Sequence, residues 1–331
     1  MYKAEKLNRY ILYRVRGMDL GFYAFYNIPN KLEKEMKAKL FVTLILSIVF
    51  LFSCTSTGRN EDIVIPEESI VSYLGPSGTY TEEATKLFFP SYVMLSPSSS
   101  VQVSLDDISS GLSDYAVVPV ENTIGGPVYS YIDLLLENKN LMIIGEVELP
   151  IRQAFLAKEG TKLDEITAIY SHPQGIAQGK VWMEENVPQA EIIQVSSTAE
   201  GARIVSESNG KYGAVASSAA ADVYGLTVLE KGIQQNESNK TRFYVVAEEN
   251  NREQGERMVF SIRGKAEDLG SILSKMEKLG LSLISLHDRN LKTELGEYEY
   301  IVECSPGDKT LYKKLSTSKI EMRWFGAFDT I

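Results

Sequence analysis

The chain is 331 residues long and carries a formal net charge of −10, with only two cysteines and two histidines. That length accommodates two or three domains with ordinary buried cores, and the acidic balance, with no basic stripe, excludes non-specific attraction to nucleic acid or to an anionic membrane surface. Four Cys or His ligands for a structural zinc are hard to assemble from this set, and Cys54 and Cys304 fall in segments expected to be far apart, so neither a metal nor a disulfide is expected. No phosphate-binding loop or dinucleotide fingerprint occurs, no cofactor is expected, and the ligand class left is a small molecule.

In chain order, the first distinctive stretch begins at Met36: Met36-Lys37-Ala38-Lys39, an apolar run from Leu40 to Phe52, then Ser53-Cys54 and a polar segment. A basic start, an apolar run of secretory length and small residues after it are the parts of a signal peptide, and the run is short for a membrane-spanning helix. Leu51-Phe52-Ser53-Cys54 resembles the lipobox of bacterial lipoproteins, which implies cleavage before Cys54 and lipid attachment to it. Residues 1–35, Tyr- and Arg-rich without periodicity, suit an over-translated extension, 36–53 the signal peptide and 54–70 a tether. The expected location is the extracytoplasmic side of a membrane, reached only through a lipid anchor; a signal-anchor or buried helix, or a cytoplasmic protein, is the alternative.

From Val71 the pattern is strand, hydroxyl- or Gly-rich turn, helix, several times over. Val71 to Leu74 leads through Gly75-Pro76-Ser77-Gly78-Thr79 into a helix from about Tyr80 to Phe89 with Glu82 and Glu83 in its first turn. That geometry suits an anion, since free amides and the positive end of the helix dipole face the turn, although Ser77 and Thr79 equally suit simple capping. A helix near Ser104 to Leu112 precedes the strand Tyr115 to Val120, which ends at Glu121-Asn122-Thr123, and a helix follows Gly125-Gly126-Pro127. Two strand-like runs lie between Leu141 and Leu156; the strand Ala168 to Tyr170 ends at Ser171-His172-Pro173-Gln174, and a helix runs on to about Asn186. His172, just before a helix-starting Pro, reads as a structural hydrogen-bonder rather than a proton shuttle. The strand from Glu191 to Val195 turns at Ser197-Thr198 into a helix, and Tyr212 to Ala216 is followed by an Ala-rich helix. The alternation argues for an α/β architecture with a parallel bias. Asn239-Lys240-Thr241-Arg242-Phe243 then starts an apolar strand; if Thr241 faces a cleft on a regular strand, Arg242 faces away and Phe243 returns.

Residues 248–256 are charged and apolar-poor, and read as a linker. Beyond them come strand Arg257 to Arg263, helix Ala266 to Leu279, strand Leu281 to Leu286, strand Glu297 to Cys304, helix Lys309 to Leu315 and strand Ile320 to Phe328, the ferredoxin-like βαββαβ order.

Six of these stretches (GPSGT, ENT, SHPQ, SSTA, GAVASSAAADVYGL and NKTRF) occur in the order and at the approximate spacing of the prephenate dehydratase catalytic domain, and the chain resembles that family over residues 71–247. The resemblance implies a two-lobed, periplasmic-binding-protein-like catalytic domain, with the ligand in the cleft, followed over 257–331 by an ACT domain. It implies the dehydration and decarboxylation of prephenate to phenylpyruvate without cofactor or metal, and a homodimer or homotetramer. The family's catalytic Thr falls on Thr241, with Glu121 or Asn239 to orient it; Ser77, Gly78, Thr79, Asn122, Thr123, Ser197, Thr198, Asn239, Arg242 and Phe243 are the expected substrate contacts. The family's usual Glu-Asn-Ser is Glu121-Asn122-Thr123 here, and its His after Leu-Pro-Ile-Arg is Gln153. In such enzymes the ACT domain binds phenylalanine through two turns, which align with Ala266 to Leu269 and His287 to Asn290. Only Leu269 and Arg289 match, so weak or altered effector binding is expected. Arogenate is a possible substrate within the same class, and the rival readings are a lipid-anchored solute receptor or a regulatory protein on the same fold.

Overall fold

The computed structural model describes residues 63–331, so the Met36 start, the apolar run and Cys54 lie outside the described residues. A first lobe is built from β1 (Ile70–Leu74), α1 (Tyr80–Phe88), β2 (Met94–Ser98), α2 (Val101–Ser109), β3 (Tyr115–Asn122), the two-residue β4 (Gly126–Pro127), α3 (Tyr129–Glu137) and β5 (Met142–Pro150). The chain then crosses into a second lobe of β6 (Ala154–Ala157), β7 (Ala168–Ser171), α4 (Pro173–Asn186), β8 (Glu191–Gln194), α5 (Thr198–Glu207), β9 (Tyr212–Ala216), α6 (Ser218–Tyr224) and β10 (Thr227–Lys231), and returns as β11 (Lys240–Ala247). The remainder is β12 (Gln254–Gly255), β13 (Arg257–Gly264), α7 (Ala266–Lys278), β14 (Ser282–Asn290), β15 (Tyr298–Ser305), β16 (Gly307–Asp308), α8 (Lys309–Leu315) and β17 (Glu321–Phe328).

Strand order in the first lobe is β2-β1-β3-β11-β5, with β4 on β3; in the second it is β10-β6-β9-β7-β8. The strands joined through helices pair in parallel, β1 with β2 and β3, and β7 with β8 and β9. The two strands that enter and leave the first lobe, β5 and β11, are antiparallel neighbours. The crossing segments touch once more beyond the sheet, Ile151 N–H donating to the Asn239 carbonyl at 2.9 Å. The late β11 is therefore wedged between β3 and β5, where its apolar Phe243 to Ala247 run is buried on both faces.

Local sequence sets the turns that face the cleft. Thr79 caps α1, accepting from Glu82 N–H, with Glu82 and Glu83 placed well for the dipole. Pro173 opens α4, where its missing N–H costs nothing. Gly78 sits at φ +84, and a Cβ there would come within 3.2 Å of Ala220 and Tyr224 on α6, so the loop after β1 approaches the second lobe closely only with glycine.

The C-terminal unit is an antiparallel sheet of order β14-β15-β13-β17 with α7 and α8 on one face, over a core of Met258, Phe260, Ile272 and Val302. Its other face packs on the first lobe: Val259, Ile301, Phe325 and Phe328 share one cluster with Ile132 and Leu135 of α3. Arg323 reinforces that seam by donating to the carbonyls of Leu136 (3.0 Å) and Asn138 (2.7 Å) at the C-terminal end of α3. One expectation fails here. The family alignment places an effector turn at residues 287–290, but β14 runs through Asn290, paired with β15 along its length, because Tyr298 to Tyr300 offer it a continued partner strand.

Candidate active site

A cleft of about 940 Å³ lies between the two lobes, and β11 forms its floor. Thr241 and Phe243 face it, as alternate residues of a strand do. Opposite Thr241 on β3 is Asn122. The Asn122 Oδ1 accepts from the N–H groups of Ile124 (3.0 Å) and Gly125 (2.9 Å) and from Gln174 Nε2 (2.9 Å). Two backbone donors thus fix which end of the amide is oxygen, and Nδ2 is left to donate to Asn239 Oδ1 and Thr241 Oγ1, each at 2.9 Å. The consequence is chemical: with its oxygen already accepting, Thr241 has its proton free for a ligand. Asn122 is the direct orienting residue, and Asn239, only 1% exposed, stands behind it.

Around this floor three helix N-termini converge, those of α1, α4 and α5. Thr79 Oγ1 donates to the Leu74 carbonyl and accepts from Glu82 N–H, so its hydroxyl is committed to the scaffold, while the first-turn residues Tyr80 and Thr81 line the cleft. Ser197 caps α5 by accepting from Glu200 N–H at 2.9 Å, which leaves its proton available. His172 caps α4 through Nδ1, accepting from Gln174 N–H, and burial holds its pKa below the ordinary value. The ring is therefore neutral with its proton on Nε2. Among the described residues that line the cleft there is no Lys or Arg. A carboxylate bound here is met by first-turn amides, helix dipoles, hydroxyls and side-chain amides.

Ser77, Thr79, Asn122, Ser197, Thr198, Thr241 and Phe243 are brought together at the cleft; five other expected site residues are not. Glu121 and Arg242 lie on the opposite face of the sheet. The β3–β11 register skips Val120, and this bulge turns Val120 and Glu121 together to the back, where Glu121 Oε2 receives Arg242 Nη1 at 2.8 Å. Glu121 and Arg242 are thus paired with each other behind the sheet and are not among the residues that line the cleft. Thr123 clasps the start of β11, its Oγ1 donating to the Lys240 carbonyl and accepting from Lys240 N–H, both at 3.1 Å. Gly78 packs on α6 and Asn239 is behind Asn122. The two effector candidates also have other work: Leu269 packs into the C-terminal core, and Arg289 makes a two-pronged pair with Asp133 of α3 at 2.5 and 2.6 Å. The free guanidinium an effector carboxylate would need is already taken.

Behind the cleft floor, Arg242 is the centre of a buried charge cluster. Its Nη2 donates to Glu146 (2.5 Å) and to Glu303 of β15 (2.6 Å), and Arg257 of β13 bridges the same two carboxylates at 2.7 and 3.1 Å. Tyr244 and Ser285 each add a hydrogen bond to Glu303 at 3.1 Å. Burial pushes the Glu146 carboxyl above its usual value, and Arg242 offsets only part of that rise. For Arg242 burial acts against the charge, but the Glu303 and Glu146 carboxylates outweigh it and its pKa is raised.

The cleft is also lined by residues that the sequence does not assign to it: Gln153, Gln174, Gln178, Tyr80 and Tyr224. Tyr224 on α6 donates to the Ser77 carbonyl across the lobes at 2.7 Å, and Gln174 reaches across at the other side to Asn122. Gln174 and Gln178 recur four apart on one face of α4, a spacing that marks them as neighbours; nothing local points to Tyr224.

A description of the prephenate dehydratase family matches residues 71–251. The bifunctional chorismate mutase/prephenate dehydratase of Stutzerimonas stutzeri is 32% identical over 267 residues, covering 78% of this chain and 72% of that protein. Arogenate dehydratase 5 of Arabidopsis thaliana is 37% identical over 178 residues, 54% of this chain and 41% of its own length. Among solved structures, the prephenate dehydratase of Arthrobacter aurescens in complex with L-Phe superposes with a TM-score of 0.69 at 26% identity, covering 78% of this chain and 90% of that one. With the two-lobed fold, the cleft and the Thr241–Asn122 pair in place, the chain belongs to the prephenate dehydratase family.

Proposed function

We propose that the enzyme removes water and carbon dioxide from prephenate to give phenylpyruvate, with Thr241 assisting departure of the hydroxyl. The C–C bond to the ring carboxylate breaks, its electron pair completes the aromatic ring, and the C–O bond breaks on the far side. The departing oxygen accepts a hydrogen bond from the Thr241 hydroxyl, takes its proton from solvent water and leaves as water. Aromatisation drives the step, so a positioned proton donor and fixed partners for two carboxylates suffice. The observation that carries this reading is the Asn122 amide donating to Thr241 Oγ1 at 2.9 Å, which leaves the threonine proton directed at the ligand space. Incubation of the purified protein with prephenate tests it: phenylpyruvate should accumulate, and its absence would sink the assignment.

The finer organisation follows the same reading. Residues 71–247 are the catalytic domain, 248–256 a linker and 257–331 an ACT domain, a proposal supported by the ferredoxin-like strand order. Phenylalanine regulation through Leu269 and Arg289 is disfavoured by their engagement elsewhere. Dimers or tetramers are supported by β14, whose outer edge is unpaired among the described residues and whose Leu283 and Leu286 are exposed. Export and lipidation at Cys54 rest on the sequence of residues 36–54. Fractionation of cells expressing the full chain and a Cys54→Ala variant tests this; a full-length wild-type protein in the cytosol would rule it out.

A further inference from the structure

The cleft floor is tied to the second lobe through one side chain. Gln174, in the first turn of α4, donates from Nε2 to Asn122 Oδ1 at 2.9 Å across the space between the lobes. The Ile124 and Gly125 N–H groups already identify that Asn122 atom as oxygen, so the Gln174 atom facing it must be nitrogen. At the other rim the lobes meet again, where Tyr224 donates to the Ser77 carbonyl at 2.7 Å and Ser217 to the Gly78 carbonyl at 3.4 Å. Those two contacts end on backbone. Of the three, only the Gln174 contact ends on a side chain that itself donates to Thr241.

The hydrogen bonds run in one direction. Gln174 donates to the Asn122 carbonyl, the Asn122 amide donates to Thr241 Oγ1, and the Thr241 hydroxyl is left to donate to a ligand. Donation to an amide oxygen draws electron density from its nitrogen and makes the N–H a stronger donor, and bonds in such a series reinforce one another by about 10–30% each. The two backbone donors lie in the loop directly after Asn122 and hold it from within the first lobe. Gln174 is the donor that comes from the other side of the cleft. Its backbone N–H goes to His172 Nδ1, and its side chain makes no other hydrogen bond among the described residues.

We propose that Gln174 is a positioning residue for the dehydration, carrying the approach of the second lobe through Asn122 to the Thr241 hydroxyl. The donor is then fully set only when both lobes flank the ligand. The inference rests on the reaction proposed above and adds to it a residue of the opposite lobe.

The test is a double-mutant cycle on prephenate turnover with Gln174→Leu, Gln174→Glu, Asn122→Ala and the Asn122→Ala, Gln174→Leu pair, with kcat, KM and melting temperature measured for each. Gln174→Leu should lower kcat about five- to tenfold, the worth of one hydrogen bond, with KM within about twofold of wild type and an unchanged melting temperature. Gln174→Glu keeps the size but turns an oxygen towards Asn122 Oδ1, so its kcat should fall at least as far; a role in packing alone would spare it. In the Asn122→Ala background Gln174→Leu should cost less than about twofold more, because the link it serves is already gone. Losses that multiply, a wild-type kcat in Gln174→Glu, or a loss carried by KM alone, as a direct substrate contact would give, each overturn the assignment. Wild-type protein that leaves prephenate unchanged overturns the reaction itself and this relay with it, whereas an active wild type with any of those three results removes only the part given to Gln174.

Discussion

The two faces of β11 show how one strand serves two ends. Thr241 and Phe243 look into a cleft lined without lysine or arginine among its described residues, where hydroxyls and amides are held with protons to spare. Arg242 and Tyr244, one residue along in each case, look into a packed seam where every carboxylate of Glu146 and Glu303 is matched by a guanidinium or hydroxyl. Charge is concentrated where it is shielded and satisfied, and kept out of the place where an anionic substrate must be held and released. The period of two along a strand is what makes this division possible. It also means that variants on the two faces should fail differently.

The largest effect on stability is expected at the back face. Arg242→Leu leaves Glu146 and Glu303 buried with half their partners gone, and should cost about 3–5 kcal/mol in denaturant unfolding. A midpoint within error of wild type would show the cluster to be dispensable. On the cleft face, Asn122→Ala should lower kcat/KM by about ten- to a hundredfold, equivalent to roughly 1.4–2.7 kcal/mol, because Thr241 loses the donor that points its proton at the ligand. An effect on melting temperature with unchanged kinetics would assign Asn122 to the scaffold instead. Thr123→Val, which removes the clasp on Lys240 but keeps the shape, should cost about 1 kcal/mol of stability; a large kinetic defect with no stability change would return Thr123 to the substrate contacts.

How much of this was readable beforehand depends on range. The strand-turn-helix units and their hydroxyl-rich turns follow from local pattern, and the alternation Thr241, Arg242, Phe243 is a property of any regular strand. Glu121 was misplaced because the bulge at Val120 depends on the pairing of β3 with a strand more than a hundred residues later. The Arg289–Asp133 pair and the Tyr224–Ser77 bridge are likewise products of docking between distant segments, and β14 extends beyond its apolar core because β15 provides hydrogen-bond partners. Gln174 stands in a sequence motif, but its bond to Asn122 exists only because the second lobe brings α4 across the cleft.

The smallest effect is one of pH. His172 caps α4 as a neutral ring and its folded pKa lies below the ordinary value of 6.5. The unfolded chain therefore binds the proton first as pH falls, so this residue's contribution is complete above about pH 6.5 and is lost as pH drops through the lower folded value. His172→Asn keeps a capping acceptor and removes the titration. Its stability relative to wild type should improve by under about 1 kcal/mol between about pH 7.5 and pH 5; a gap that stays constant would show that the ring does not titrate in this range.

The measurement closest to the central claim is on Thr241→Ala, with substrate affinity and turnover determined on the same preparation. A hydroxyl whose free proton serves only the departing oxygen strengthens its contact in the transition state, so kcat should fall by about 10²–10⁴-fold while binding and melting temperature hold. Thr241→Ser should recover part of the rate. Near-normal turnover in the alanine variant, or a loss explained entirely by weaker binding, would contradict the division of labour between the two faces of β11.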